Sequence, residues 1–125
     1  ILAMHPECLI LDEATAFLDP LAREGVLNLL SRLHAEGMTL IMVTHSMDEA
    51  ALADRIVALE GGRIALEVAP RALLEHQEVL EALALGLPTV CAVAAGLQKH
   101  GLPFDKAPLT EQDLVCALLG VKEQR

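Results

Sequence analysis

The sequence predicts an α/β fold: parallel strands with flanking helices, a closing hairpin, and a small helical extension. Three observations lead there. The first is two short apolar runs, Cys8-Leu9-Ile10-Leu11 and Thr39-Leu40-Ile41-Met42-Val43-Thr44. Each has the length of a strand, and a strand covered on both faces reads as continuously apolar. The second is a helix-period stretch between them, opened by Asp19-Pro20 and closed by Gly37. Strand, helix, strand in that order gives a right-handed crossover and parallel strands. The third is a change to Leu/Ala/Glu-rich composition after Pro70, which marks the helical extension. The expected division is 1–69 for the α/β core and 70–125 for the extension.

In order along the chain, residues 1–7 suggest a helix end followed by a turn at Pro6, with His5 a surface turn residue. The first strand ends in two adjacent carboxylates, Asp12 and Glu13. Burying unpaired carboxylates is costly, so both belong at the carboxyl edge of the sheet, where open α/β folds place ligands. Consecutive strand residues point opposite ways, leaving one acid to help hold a divalent metal and the other to polarise a water.

Asp19 can cap free N–H groups and Pro20 suits the first helical position. Val26, Leu29, Leu30 and Leu33 then fall on one helix face, opposite Arg23, Asn28 and Arg32. Because the two strands run parallel, His45 should emerge on the same rim as Asp12 and Glu13. Ser46-Met47-Asp48-Glu49 reads as a capping box opening a short helix to about Ala53. Ile56–Leu59, Gly61-Gly62 and Arg63–Glu67 read as strand, tight turn and returning strand.

Beyond Pro70, a helical stretch is expected over 71–85, broken near His76-Gln77 and stopped at Gly86-Leu87-Pro88. A second helix is expected over 89–100 with Val90, Val93, Ala94 and Leu97 on one face. A last one is expected over 111–119, stopped by Gly120. His34, His76 and His100 read as surface residues, and the four methionines as core or turn fillers.

Composition narrows the function. The chain has 125 residues, one domain's worth, with 54% apolar residues and a net charge of −9. That apolar share excludes disorder, and the charge argues against a nucleic-acid surface. With no Trp or Tyr and two Phe, base-stacking platforms are absent as well. Apolar runs are broken by charges well before membrane-spanning length, and no signal peptide opens the chain. Cys8, Cys91 and Cys116 show no CxxC spacing and read as free buried thiols of a reducing compartment.

Leu9-Ile10-Leu11-Asp12-Glu13 resembles a Walker B strand, and Ala14-Thr15-Ala16-Phe17-Leu18-Asp19-Pro20 resembles the D-loop of an ATP-binding-cassette (ABC) ATPase. Leu40-Ile41-Met42-Val43-Thr44-His45 resembles that family's switch-histidine strand. The three motifs come in the family's order at compatible spacing, and they cover roughly the first half of the chain. The resemblance implies the C-terminal part of a P-loop NTPase. No GxxxxGK[ST] phosphate loop and no Gly-rich signature loop occurs in the sequence. With a start at Ile1, the chain reads as the C-terminal portion of a longer subunit.

The resemblance also implies roles. Asp12 would help hold Mg²⁺ through water, and Glu13 would act as general base on the attacking water. His45 would contact the γ-phosphate of ATP. Ala16, Phe17, Leu18 and Asp19 would form the D-loop contact to a second ATPase subunit, identical or not; Phe17 is larger than the residue usual there. After the hairpin, Val68-Ala69-Pro70 stands where the family has Gly-Thr-Pro. The tail pattern, from Leu85-Gly86-Leu87-Pro88 through His100-Gly101-Leu102-Pro103 to Leu118-Leu119-Gly120, resembles the extension of energy-coupling-factor and cobalt/nickel-type importer ATPases, where it helps hold two such subunits together.

The implied protein is a peripheral subunit at the cytoplasmic membrane face. It would drive a transmembrane coupling subunit and a substrate-binding membrane component for a vitamin or for cobalt/nickel, and these 125 residues alone would lack ATPase activity. Two rival readings are an ABC-type ATPase of DNA repair or chromosome organisation, and a non-catalytic interaction module.

Overall fold

In the computed structural model, residues 6–123 are described. The helix end expected over 1–5, His5 included, lies outside them. Contact density divides the chain into two compact units, Ile1–His45 and Ser46–Arg125.

In the first unit, β1 (Cys8–Asp12) pairs with β2 (Thr39–Val43) in parallel. The register sets Ile10 against Ile41 and Asp12 against Val43. The crossover helix α1 (Pro20–Ala35) joins the strands and packs against β2. Its start is set by Asp19, whose Oδ1 accepts N–H bonds from Leu21 (3.1 Å) and Ala22 (3.0 Å), with Pro20 in the first turn. Its end reverses at Gly37, φ 98°, where Gly37 N–H bonds the His34 carbonyl and Met38 N–H the Leu33 carbonyl. That double bond is the Schellman closure, and it requires the left-handed backbone that glycine adopts freely. Asp19→Ala is expected to cost about 1 kcal/mol of stability, the usual value of a lost N-cap, read as a lower urea midpoint.

The expectation of strands covered on both faces is not met. Burial alternates: Leu9 is buried and Leu11, Leu40 and Met42 are half-buried, while Ile10, Ile41 and Val43 are exposed. A sheet needs a packed layer on each apolar face, and α1 supplies one.

In the second unit, α2 (Met47–Ala50) is shorter than expected and relaxes into a turn. Ser46 Oγ accepts from Glu49 N–H at its start. β3 (Ile56–Glu60) and β4 (Arg63–Val68) form the hairpin as read. Gly61 and Gly62 both have positive φ, 55° and 75°, the pair of values a two-residue turn of the strand-matching hand demands. A register irregularity follows Ala58. The inward residues Ile56 and Val68 pair across the hairpin and form the core with Leu73 and Leu80. These two leucines come from a 3₁₀ helix (Pro70–His76) and from α3 (Gln77–Ala82), so the helical stretch is broken near His76-Gln77 as expected.

Three expectations for the tail are corrected. First, α3 ends at Ala82, and the chain turns at Ala84, φ 55°, ahead of Gly86. Ala84 N–H bonds the Glu81 carbonyl and Leu85 N–H the Leu80 carbonyl, another Schellman closure, which returns Leu85 onto the core. That packing offsets about 1–2 kcal/mol for a left-handed alanine. Second, α4 (Thr89–Lys99) buries Cys91, Ala94 and Ala95, while Val93 is exposed. Third, α5 (Glu111–Glu123) runs through Gly120, because a helical glycine costs only about 1 kcal/mol. Of the thiols, Cys91 alone is buried; Cys8 and Cys116 are exposed.

The segment before α5 is tied down by polar bonds. Ala107 N–H donates to the Arg71 carbonyl at 3.0 Å, and Arg71 Nη1 donates to Asp113 Oδ2 at 2.6 Å and to the Ala107 carbonyl at 3.3 Å. Leu109 N–H and the Arg71 guanidinium hold the Asp113 carboxyl below its ordinary pKa. The Cys91 Sγ–H donates to the Pro108 carbonyl at 3.0 Å. Burial first, and the Asp48 carboxylate second, push this thiol up to about 11, so it stays protonated and unreactive at neutral pH.

Candidate functional site

The site lies at the carboxyl edge of the parallel pair. Asp12 is the last residue of β1 and is exposed; Glu13 follows it and is half-buried. Glu13 N–H donates to the Val43 carbonyl at 2.9 Å, so the backbone of β2 holds Glu13 one step past the last strand pair. At this point the chain leaves the strand through a left-handed residue: Glu13 has φ 48°. Its carbonyl accepts from Ala16 N–H at 3.1 Å, which starts the turn toward α1. A non-glycine residue here costs about 1–2 kcal/mol, and such strain tends to be stored where a side chain must be aimed.

The aim is visible. Glu13 Oε1 lies 2.9 Å from His45 Nδ1, across 32 positions of sequence. His45 follows β2 by two residues and is mostly exposed. With the proton on Nδ1, the imidazole donates to the carboxylate and leaves Nε2 facing outward as an acceptor; protonated, it offers a second donor there. The expectation that His45 emerges on the rim carrying Asp12 and Glu13 is therefore met for Glu13, with a direct contact. Asp12 sits at the strand end beside Glu13, and no bond joins it to either.

Among the described residues, no group of three or more His, Cys, Asp or Glu gathers as a metal-holding cluster. Asp12 offers one exposed carboxylate. That donor set suits a hard cation that keeps several waters and draws further oxygens from phosphates.

The loop after Glu13 presents Ala16, Phe17 and Leu18 outward; Phe17 is fully exposed, and Leu21 in the first turn of α1 is 80% exposed. Thr15 is buried within the turn, its carbonyl accepting from Leu18 N–H at 3.2 Å. Asp19 is occupied as the cap of α1.

The fold and the rim together define an α/β chain whose acid pair and imidazole collect at one edge of parallel strands. Comparison with known proteins gives the narrower class. The chain is 49% identical over 120 residues to the energy-coupling factor transporter ATP-binding protein EcfA2 of Latilactobacillus sakei, covering 94% of this chain and 41% of that protein. It is 44% identical over 118 residues to the EcfA1 counterpart of Symbiobacterium thermophilum, covering 94% and 41%. It is 40% identical over 119 residues to the EcfA2 counterpart of Streptococcus agalactiae, covering 94% and 42%. No family model matches the chain.

Along nearly its whole length the chain is thus similar to the ATP-binding proteins of energy-coupling factor transporters. It spans about two fifths of the length of the curated relatives it matches.

Proposed function

We propose that this chain is the C-terminal portion of an ABC ATPase subunit of the energy-coupling-factor type, with 1–69 belonging to the ATPase core and 70–125 to a helical extension. The intact subunit hydrolyses ATP at a dimer interface and drives import of a micronutrient, a vitamin or cobalt/nickel. The observation that carries this reading is the 2.9 Å contact between Glu13 and His45 on the rim that also carries Asp12.

The reaction needs a water held in line with the γ-phosphorus and a group to take its proton. Glu13 is that group. As the water oxygen bonds to phosphorus and the bond to the bridging oxygen breaks, the carboxylate accepts the water proton; the products are ADP and phosphate. With both ring nitrogens carrying protons, His45 donates through Nδ1 to the carboxylate and through Nε2 to the γ-phosphate. Asp12 would hold Mg²⁺ through water, and the bound ion offsets the negative charge of the phosphates. Residues Ala16, Phe17, Leu18 and Asp19 form the contact to a second ATPase subunit. The full exposure of Phe17 supports a partner there, because large side chains bared to water mark interaction sites when they gather with neighbours such as Leu21.

The working subunit includes structure beyond these residues. The bare apolar face of Ile10, Ile41 and Val43 and the two-fifths coverage of the relatives support that. A phosphate loop and a signature loop would come from there. The subunit works peripherally at the cytoplasmic membrane face, on a transmembrane coupling subunit and a substrate-binding component. Among the described residues no helix is long and apolar enough to cross a membrane.

The test is ATP turnover with Mg²⁺. The purified 125-residue chain should show none, and a subunit carrying the chain with both loops should turn over ATP. Glu13-dependent turnover by the chain alone would overturn the division of labour. A silent intact subunit that nonetheless binds Mg-ATP would overturn the catalytic assignment.

A further inference from the structure

The helix α4 begins without a cap of its own. Its N-cap position is Pro88, which has no side chain able to accept a hydrogen bond. The first amide of the helix is nevertheless satisfied. Thr89 N–H donates to Asp48 Oδ1 at 2.7 Å, and Thr89 Oγ1–H donates to Asp48 Oδ2 at 2.8 Å. Both oxygens of one carboxylate are thus committed to one residue, 41 positions away in sequence. Asp48 lies in the first turn of α2, whose own start is capped by Ser46. The carboxylate therefore serves the other helix. Its charge faces the positive end of the α4 dipole, and bonds to an ionised acceptor are the stronger kind. The same carboxylate lies near enough to Cys91, in the first turn of α4, to help push its thiol up, after burial.

We propose that Asp48 is a coupling residue: it caps α4 from α2, and so joins the order of the helical tail and the placement of the segment after His45 into one equilibrium. A displacement of α2 withdraws the carboxylate and leaves the Thr89 amide and hydroxyl without their acceptor. Fraying of α4, in turn, frees Asp48. Asp48 and Thr89 both lie in the second unit, so the carboxylate ties the placement of α2 to the order of α4 within it. The latch does not rest on the proposed function.

Amide hydrogen exchange on the 125-residue chain, with no nucleotide, tests it. Asp48→Ala removes two charge-assisted bonds and should speed exchange over residues 89–95 by about tenfold or more, with the β3–β4 amides unchanged. Thr89→Ser keeps both donors and should match the parent. Thr89→Ala should speed exchange less than Asp48→Ala, and should add nothing in its background. Exchange within twofold of the parent in Asp48→Ala, equal speeding in the hairpin, or additive effects of the two substitutions would each overturn the latch. Failure of ATP turnover in an intact subunit would leave these outcomes unaffected.

Discussion

Glu13→Gln, made in an intact subunit, is expected to lower ATP turnover by about 10²- to 10⁴-fold, the usual worth of a positioned general base, with Mg-ATP still bound. The amide keeps the shape of the carboxylate but cannot take the proton of water. It can still meet His45, which stands 2.9 Å away, so the loss falls on kcat. Glu13→Gly separates catalysis from folding. Glycine adopts the φ of 48° freely, so this variant should be equally inactive yet up to about 1 kcal/mol more stable than the parent. Urea unfolding beside turnover measures both. A Glu13→Gly protein that is markedly less stable would mean that the left-handed backbone holds no strain.

Leu80→Ala is expected to destabilise the second unit by about 2–5 kcal/mol, the range for a leucine removed from a packed core. Leu80 is fully buried and touches the hairpin core through Ile56, Val68 and Leu73. It also carries the carbonyl that closes the turn at Ala84, so loss of its side chain loosens the contact that offsets the strained alanine. Domains of this size hold about 5–15 kcal/mol in all, so the variant sits near the edge of folding. The check is a urea titration at constant slope. Leu59→Ala, at a side chain that is 69% exposed, should stay within about 0.5 kcal/mol of the parent.

What was legible in the sequence was local chemistry with one cheap solution. Asp19-Pro20 and Gly37 bracketed α1 because a cap, a fixed φ and a left-handed reversal each favour few residues. Gly61-Gly62 set the hairpin for the same reason. The meeting of Glu13 and His45 followed from parallel topology, which brings both strand ends to one edge. Where several solutions cost nearly the same, the sequence was silent. Ala84 turns the chain although Gly86 was at hand, because the reversal there returns Leu85 to the core. Gly120 permits a stop without compelling one. The apolar runs of β1 and β2 tell what those strands tolerate, and not which layers cover them. The Asp48–Thr89 clasp joins two ordinary helix-start residues 41 positions apart, and no spacing rule connects them.

The most direct measurement is a double-mutant cycle on ATP turnover by an intact subunit, with Glu13→Gln, His45→Ala and both together. If the carboxylate and the imidazole act as one unit on the water and the γ-phosphate, the double variant is no slower than the slower single one. If the two losses multiply, the groups act independently, and the contact at the strand rim is not the catalytic pair.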